Sequence, residues 1–267
     1  MACRDKYQAK TDNTNNVVHA VEARTTSAKN ASRLLFGVDS KSRVDELLQN
    51  NLNKFEWVVR NKIVPNFFGR YISGDECLTK SEIEFIHSKG CKIAALFSDE
   101  SQKLTKEQAV SLVEKIDNCA FQLGVPEGVA IFLEINESET VSYDFLKEFA
   151  SSLLFAGFTP GFKVNTDAKY VFDREFSRGI QNNRDLFSQC LVWATAPTVE
   201  EYNGITTSHL IHPDDWKPYA PSGMSRKNIA VWQYGINCHP IENDNELITT
   251  FNLNLVCDEQ IIINQMF

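Results

Sequence analysis

Long apolar runs are missing from this 267-residue sequence. None exceeds six residues, against the roughly 20 that a membrane-spanning helix needs, so no membrane insertion is expected. An excess of basic charge is missing too. The net charge is −8, which disfavours nucleic acid or an anionic surface as a partner. No C-x-x-C occurs, and the seven cysteines (Cys3, Cys77, Cys91, Cys119, Cys190, Cys238 and Cys257) are odd in number and irregularly spaced. That pattern speaks against a disulfide framework or a zinc site and fits reduced thiols in a cytoplasmic protein. The stretch MACRDKYQAKTDNTNN has no apolar core, so a secretory leader is not expected, and export is left to a non-classical route. No G-x-G-x-x-G follows the first strand and no phosphate loop is present, which counts against nucleotide binding; no cofactor is implied.

What is present is a rhythm. Hydrophobic residues make up 43 % of the chain, enough for the core of one large α/β domain. Residues 1–30 are rich in Asn, Thr, Lys and Ala and read as a flexible arm; residues 31–267 read as the folded body. RLLFGVDS reads as a strand ending at Asp39, followed by helical spacing in RVDELLQNNLNKFEWVVRN. NFFGRYI is a second strand, carrying Arg70 and Tyr71. LTKSEIEFIHSKG is a helix with a capping box of Thr79 and Glu82, and CKIAALF is a third strand running to Ser98 and Asp99. The stripe Ala109, Leu112, Ile116, Ala120, Leu123 marks a long helix capped by Thr105 and Gln108. VAIFLEI is the fourth strand. SYDFLKEFASSLLFAG is a helix, TPGFKVN a weaker strand, 167–182 a helical stretch, and QCLVWATA a sixth strand. IAVWQYG and ITTFNLNLVC close the series, with no convincing helix between Tyr234 and Thr249.

Short apolar strands alternating with helices predict parallel βα units. Eight of them make a TIM-like (β/α)8 barrel, here with degenerate last units; an open doubly wound sheet is the competing architecture. In a barrel, the strand carboxyl ends would bring together Asp39, Arg70, Tyr71, Asp99, Glu134, Asn136, Trp193, Trp232, Gln233 and Tyr234. Carboxylates with aromatic faces suit a sugar, since glycoside hydrolysis uses two carboxyl groups flanking the bond. Plainer readings exist for several of them. Asp39 precedes a helix and can simply cap it. Arg70 can neutralise an acid in a buried pair, and Trp193 and Trp232 can be core aromatics. Glu134 follows Phe132 on one face of an otherwise apolar strand, and a buried carboxylate needs a reason to be there.

His209 and His212, followed by Asp214 and Asp215, form an H-x-x-H run, but Pro213 argues against a helix there, so no metal is expected. The long segment from Pro197 to Lys227 is expected to lie over the mouth, with Tyr202, His209 or Trp216 supplying a wall.

The series FFGRYI, LTKSEIEFIHSKGCKIAALF, LGVPEGVAIFLEIN and AVWQYG resembles the glycoside-hydrolase-like barrels of the domain of unknown function 1906. These are related to the Chalaropsis-type lysozymes of glycoside hydrolase family 25. The resemblance spans roughly Leu34 to Leu255. It implies a barrel with its site at the strand carboxyl ends and a polysaccharide, such as cell-wall peptidoglycan, as the partner. Carried onto this sequence, the first-strand aspartate falls on Asp39 and the second-strand arginine on Arg70. The fourth-strand acid pair falls on Glu134 and Asn136, and the last-strand aspartate on Asn252, beside Asn254. In the lysozymes the second acid of the pair donates the proton. Here it is Asn136, and an amide cannot donate a catalytic proton. Two readings follow. Glu134 works as acid/base with Asp39 or Asp99, Arg70 polarising them and Tyr71, Asn136, Trp193, Trp232, Gln233, Tyr234 and Asn252 binding sugar; or the barrel binds a glycan without turning it over.

Overall fold

The computed structural model describes residues 34–61, 64–99, 103–137, 139–206, 213–240 and 249–267. Eleven strands are present: β1 (Leu35–Asp39), β2 (Phe67–Tyr71), β3 (Lys92–Ser98), β4 (Lys103–Leu104), β5 (Ala130–Ile135), β6 (Thr140–Val141), β7 (Thr159–Val164), β8 (Leu191–Ala194), β9 (Asn203–Thr206), β10 (Ile229–Pro240) and β11 (Phe251–Val256). Seven helices accompany them: α1 (Lys54–Arg60), α2 (Lys80–Ser88), α3 (Lys106–Leu123), α4 (Tyr143–Phe155), α5 (Val171–Asn182), α6 (Arg184–Phe187) and α7 (Glu259–Gln265). Among the described residues no helix is long and apolar enough to cross a membrane.

The sheet runs β11-β1-β2-β3-β5-β7-β8-β10, and β10 pairs back onto β11, so eight strands close a TIM-like barrel. The first seven are parallel. The eighth, β11, is antiparallel to both of its neighbours, with Asp39 facing Asn252 and Gln233 facing Asn254 in register. This is the form the degeneracy of the last units takes. Because β11 is reversed, its amino-terminal half lies at the carboxyl ends of the others. Asn252 and Asn254 thereby reach the mouth. β9 adds a parallel edge to the far half of β10, and β4 and β6 form a separate two-stranded ribbon.

Alternation along the strands sorts the core into two layers. Phe67, Leu96, Phe132, Trp193 and Val231 pack together inside the barrel. Phe68, Ile93, Ile131, Leu133, Phe162 and Leu253 face outward against the helices. Large inward rings are accommodated by inward glycines. A Cβ on Gly161 would lie 2.5 Å from the Phe132 ring, and one on Gly69 would lie 2.6 Å from Asp39 Cβ and 2.7 Å from the Trp193 ring. Ile262 and Met266 join the inner layer, and Phe267 exchanges backbone hydrogen bonds with Ile93 at 3.1 and 2.7 Å. The chain therefore plugs the amino-terminal end of the barrel with its own last helix.

Two local expectations are corrected. Residues 43–53 are not helical. Asn51 takes φ +59°, Leu47 bridges to Asn53, and Asn53 forms a capping box with Glu56, so α1 starts only at Lys54. Thr79 accepts from the Glu82 N–H as expected, but Glu82 does not reach back to close the box; its carboxylate is committed to Arg70 and to the Val44 N–H.

Candidate functional site

Lys163, on β7, stands at the centre of the mouth, and the sequence reading did not single it out. Its ammonium contacts Asp39 Oδ2 at 2.8 Å, Glu134 Oε1 at 3.2 Å and the Tyr71 hydroxyl at 3.3 Å. It also lies over the rings of Trp193 and Tyr71, 5.4 and 5.6 Å from their centroids. Burial alone would push this lysine down, but Asp39 and Glu134 outweigh it and hold its pKa well above the ordinary value. The residue is a fixed cation at any physiological pH.

Asp39 is 1 % exposed and fully engaged. Its Oδ2 takes Lys163 and the Asn252 amide at 2.9 Å, and its Oδ1 takes the Asn254 amide at 2.8 Å. Asn254 accepts in turn from the Trp193 indole N–H at 3.0 Å, so Trp193 is a buried floor and not a stacking face. Glu134 is the more open of the two acids, with 18 % of its side chain exposed, and accepts from the Tyr71 hydroxyl at 2.9 Å. Tyr71 is raised above the ordinary phenol range, chiefly by burial, so it remains a donor. The ammonium touches both carboxylates. Their facing oxygens therefore lie within about 6 Å, short of the roughly 6.5–9.5 Å that leaves room for an inverting enzyme's water, and the ammonium occupies the space between them.

Other expected site residues are turned elsewhere. Arg70 is 0 % exposed and points away from the barrel interior, into the helix layer. There it pairs with Glu82 at 2.6 Å and donates to the carbonyls of Ser40, Lys41 and Glu76. Tyr71, the next residue, takes the inward place, because neighbours on a strand face opposite ways. Trp232 and Tyr234 are outward for the same reason. Trp232 packs on Trp216 and Tyr234 and donates to the Pro197 carbonyl at 2.9 Å, while Tyr234 packs on Tyr202. Gln233 between them points inward; it is 4 % exposed, and its Oε1 has no partner among the described residues. Asp99 lies one residue beyond β3 and is drawn to Lys115 of α3 at 3.4 Å. Asn136 lies beyond the end of β5 and is exposed; its backbone N–H donates to Glu139 Oε2 at 2.7 Å and its amide to Glu139 Oε1 at 3.3 Å. Burial pushes the Glu139 carboxyl up against these hydrogen bonds.

Two clefts open on the acids. One of about 550 Å³ is bounded by Glu134, Lys163, Gln233, Asn252, Thr198 and Tyr219. The other, of about 290 Å³, is bounded by Asp39, Ser40, Ser42, Tyr71, Glu134 and Asn252. The long segment contributes Pro197, Thr198 and Tyr219 to the larger cleft. Tyr202 and Trp216 instead pack outside the barrel, and His209 and His212 lie outside the described residues.

No protein-family model matches the chain, and no curated protein matches it by sequence. Solved structures do. A protein from B. stearothermophilus is similar over 87 % of this chain and 100 % of its own, with a TM-score of 0.70 at 23 % identity. The spore cortex lytic enzyme SleM from Clostridium perfringens is similar over 86 % of this chain and 69 % of its own, with a TM-score of 0.53 at 12 % identity. At these identities the shared property is the fold.

Proposed function

We propose that this glycoside-hydrolase-like barrel binds a polysaccharide, with cell-wall peptidoglycan as the substrate class, and holds it without hydrolysing it. The observation that carries this reading is Lys163, an ammonium held between the two acids that would otherwise share the chemistry. Hydrolysis needs a proton donor beside the scissile oxygen and a second carboxylate facing it. Asp39 is saturated by Lys163, Asn252 and Asn254, and Glu134 already accepts from Tyr71 and Lys163. The position that would supply the donor is an amide tied to Glu139.

Binding, by contrast, is well provided for. The larger cleft presents carboxylates, ammonium groups, several side-chain amides and the Tyr219 ring, the mixture that hydroxyl-rich ligands require. The Oε1 of Gln233, without a partner among the described residues, is a buried acceptor for an O–H or amide N–H. The choice of a cell-wall polymer is supported by the motif resemblance and by the fold shared with a protein described as a spore cortex lytic enzyme. The deciding experiment titrates the protein with solubilised peptidoglycan strands and with chito-oligosaccharides, measuring heat of binding and release of reducing ends in parallel. Binding without release is expected. Release of reducing ends that Glu134→Gln abolishes would make the protein a hydrolase instead.

A further inference from the structure

Behind the smaller cleft lies a second constellation that the glycan site does not use. Lys54, the first residue of α1, is 0 % exposed. Its ammonium nitrogen sits in short contact with the hydroxyls of both Ser40 and Ser42, which are 3.2 Å from each other. Among the described residues Lys54 forms no ion pair with a carboxylate. Ser40 is 7 % exposed and Ser42 is half-buried, and both line the cleft of about 290 Å³.

We propose that Ser42 is the nucleophile of a second, ester-hydrolysing centre, with Lys54 as its base and Ser40 as the residue that positions the pair. A buried lysine serving only the fold gains most from a carboxylate partner. This one is offered two neutral hydroxyls that open on a cleft, the arrangement an activated serine needs. Its titration agrees. Burial, and after it the Arg70 guanidinium, push Lys54 down to about 8, against the opposing pull of Glu76, Glu82 and Asp39. A neutral amine is then accessible near neutral pH, as a general base must be.

The chemistry balances with water as the only co-reactant. The neutral Lys54 amine takes the proton of Ser42 Oγ as that oxygen bonds to the ester carbonyl carbon and the carbonyl π pair moves to its oxygen. Collapse breaks the bond to the leaving alcohol, which receives the proton from Lys54. The same amine then takes a proton from water as the water oxygen bonds to the acyl carbon; the bond from that carbon to Ser42 Oγ breaks, Oγ takes the proton back from Lys54, and a carboxylic acid leaves. The ester carbonyl would enter the cleft of about 290 Å³ that Ser40 and Ser42 line. The two clefts share Glu134 and Asn252, so a glycan reaching into the smaller one is expected to compete with the ester.

The test uses the full chain and a fluorophosphonate probe, whose phosphorus forms a bond to an activated serine oxygen as fluoride leaves. Peptide mapping is expected to place a single adduct on Ser42, formed faster as pH rises and levelling above about 8. Ser42→Ala should remove the adduct, and Lys54→Met should slow it by about 100-fold or more, the weight of a general base. Absence of an adduct on Ser42 at pH 9, or an adduct whose rate is flat across pH 6–9, would overturn the proposal. The pH profile is read on the parent protein, so it decides the matter even if Lys54→Met does not fold.

Discussion

Two buried ion pairs occupy opposite faces of the same sheet, and they are built differently. On the helix side of β2, Arg70 and Glu82 are both 0 % exposed, and every strong donor and acceptor is used: Glu82 twice, three backbone carbonyls, and the Val44 N–H. On the barrel side, one residue further along, Tyr71 leads into the Lys163 cluster. There Glu134 is 18 % exposed, and the neighbouring Gln233 has an acceptor with no partner among the described residues. The first pair is closed and serves the fold; the second is open on one side and has capacity left for a ligand. Completeness of hydrogen bonding, more than burial, separates a structural ion pair from a candidate binding one.

The sharpest break of this comparison is Arg70→Met. Removing one partner leaves Glu82 buried and unpaired, which costs about 3–5 kcal/mol. Urea unfolding should show that loss, and the melting temperature should fall by roughly 10 °C for a domain of this size. Adding Glu82→Leu should recover most of it, since an apolar pair of similar volume is often as stable as a buried ion pair. Glycan binding by the folded double variant should equal that of the parent.

A second test sits on the helix side too. Lys54 has a folded pKa of about 8 against an ordinary 10.5, so below pH 8 both folded and unfolded chains hold the proton and the fold bears the full penalty. Between the two values the unfolded chain holds more protons, so stability rises with pH, by about 3 kcal/mol in all. Buried thiols such as Cys91 and Cys190, raised by burial, work in the opposite direction. The difference in unfolding free energy between the parent and Lys54→Met across pH 7–10.5 isolates the lysine. A difference that stays constant with pH would show that Lys54 titrates normally.

On the barrel side, Lys163→Met should cost less, about 2 kcal/mol, because Asp39 keeps two amide donors and Glu134 keeps solvent. Its larger effect should be on binding. Two carboxylates facing each other across an apolar side chain should weaken glycan affinity tenfold or more, measurable by calorimetry.

Why the two faces were not equally legible in the sequence is a matter of parity. Strand ends, spacing and helix caps disclosed the barrel and brought Asp39, Glu134 and Gln233 into view; Asn252 came from the family resemblance. FFGRY, however, is buried at all five positions, so no polar alternation tells which of Arg70 and Tyr71 faces in. The run Trp232-Gln233-Tyr234 hides its parity in the same way. Lys163 was passed over because Pro160 and Gly161 weaken the look of a strand. Yet Phe132 needs that glycine opposite it, and a lysine two residues after an inward glycine must also be inward. Glu82 belongs to a helix whose amphipathic pattern hides one buried acid, and only tertiary pairing reveals its partner. In residues 43–53 the helical spacing of apolar residues was overruled by a left-handed Asn51 and a cap at Asn53.

The smallest effect on stability is expected at position 136, and it carries the most information about the open pair. Asn136→Glu restores the acid that the resemblance to lysozymes asks for. In this structure, however, the side chain at 136 is exposed and hydrogen-bonded to Glu139, beyond the end of β5. A glutamate there meets a like charge, loses one donor, and should cost under about 1 kcal/mol. It should also raise the Glu139 carboxyl further, since that group is already pushed up by burial. Lys163 would still fill the space between Asp39 and Glu134. Hydrolysis of peptidoglycan strands, followed as reducing ends, should therefore remain absent in Asn136→Glu and in Asn136→Glu with Asn252→Asp. Turnover in the single variant would mean that the ammonium yields when an acid is supplied, and that the open pair is a lysozyme-type centre lacking one residue.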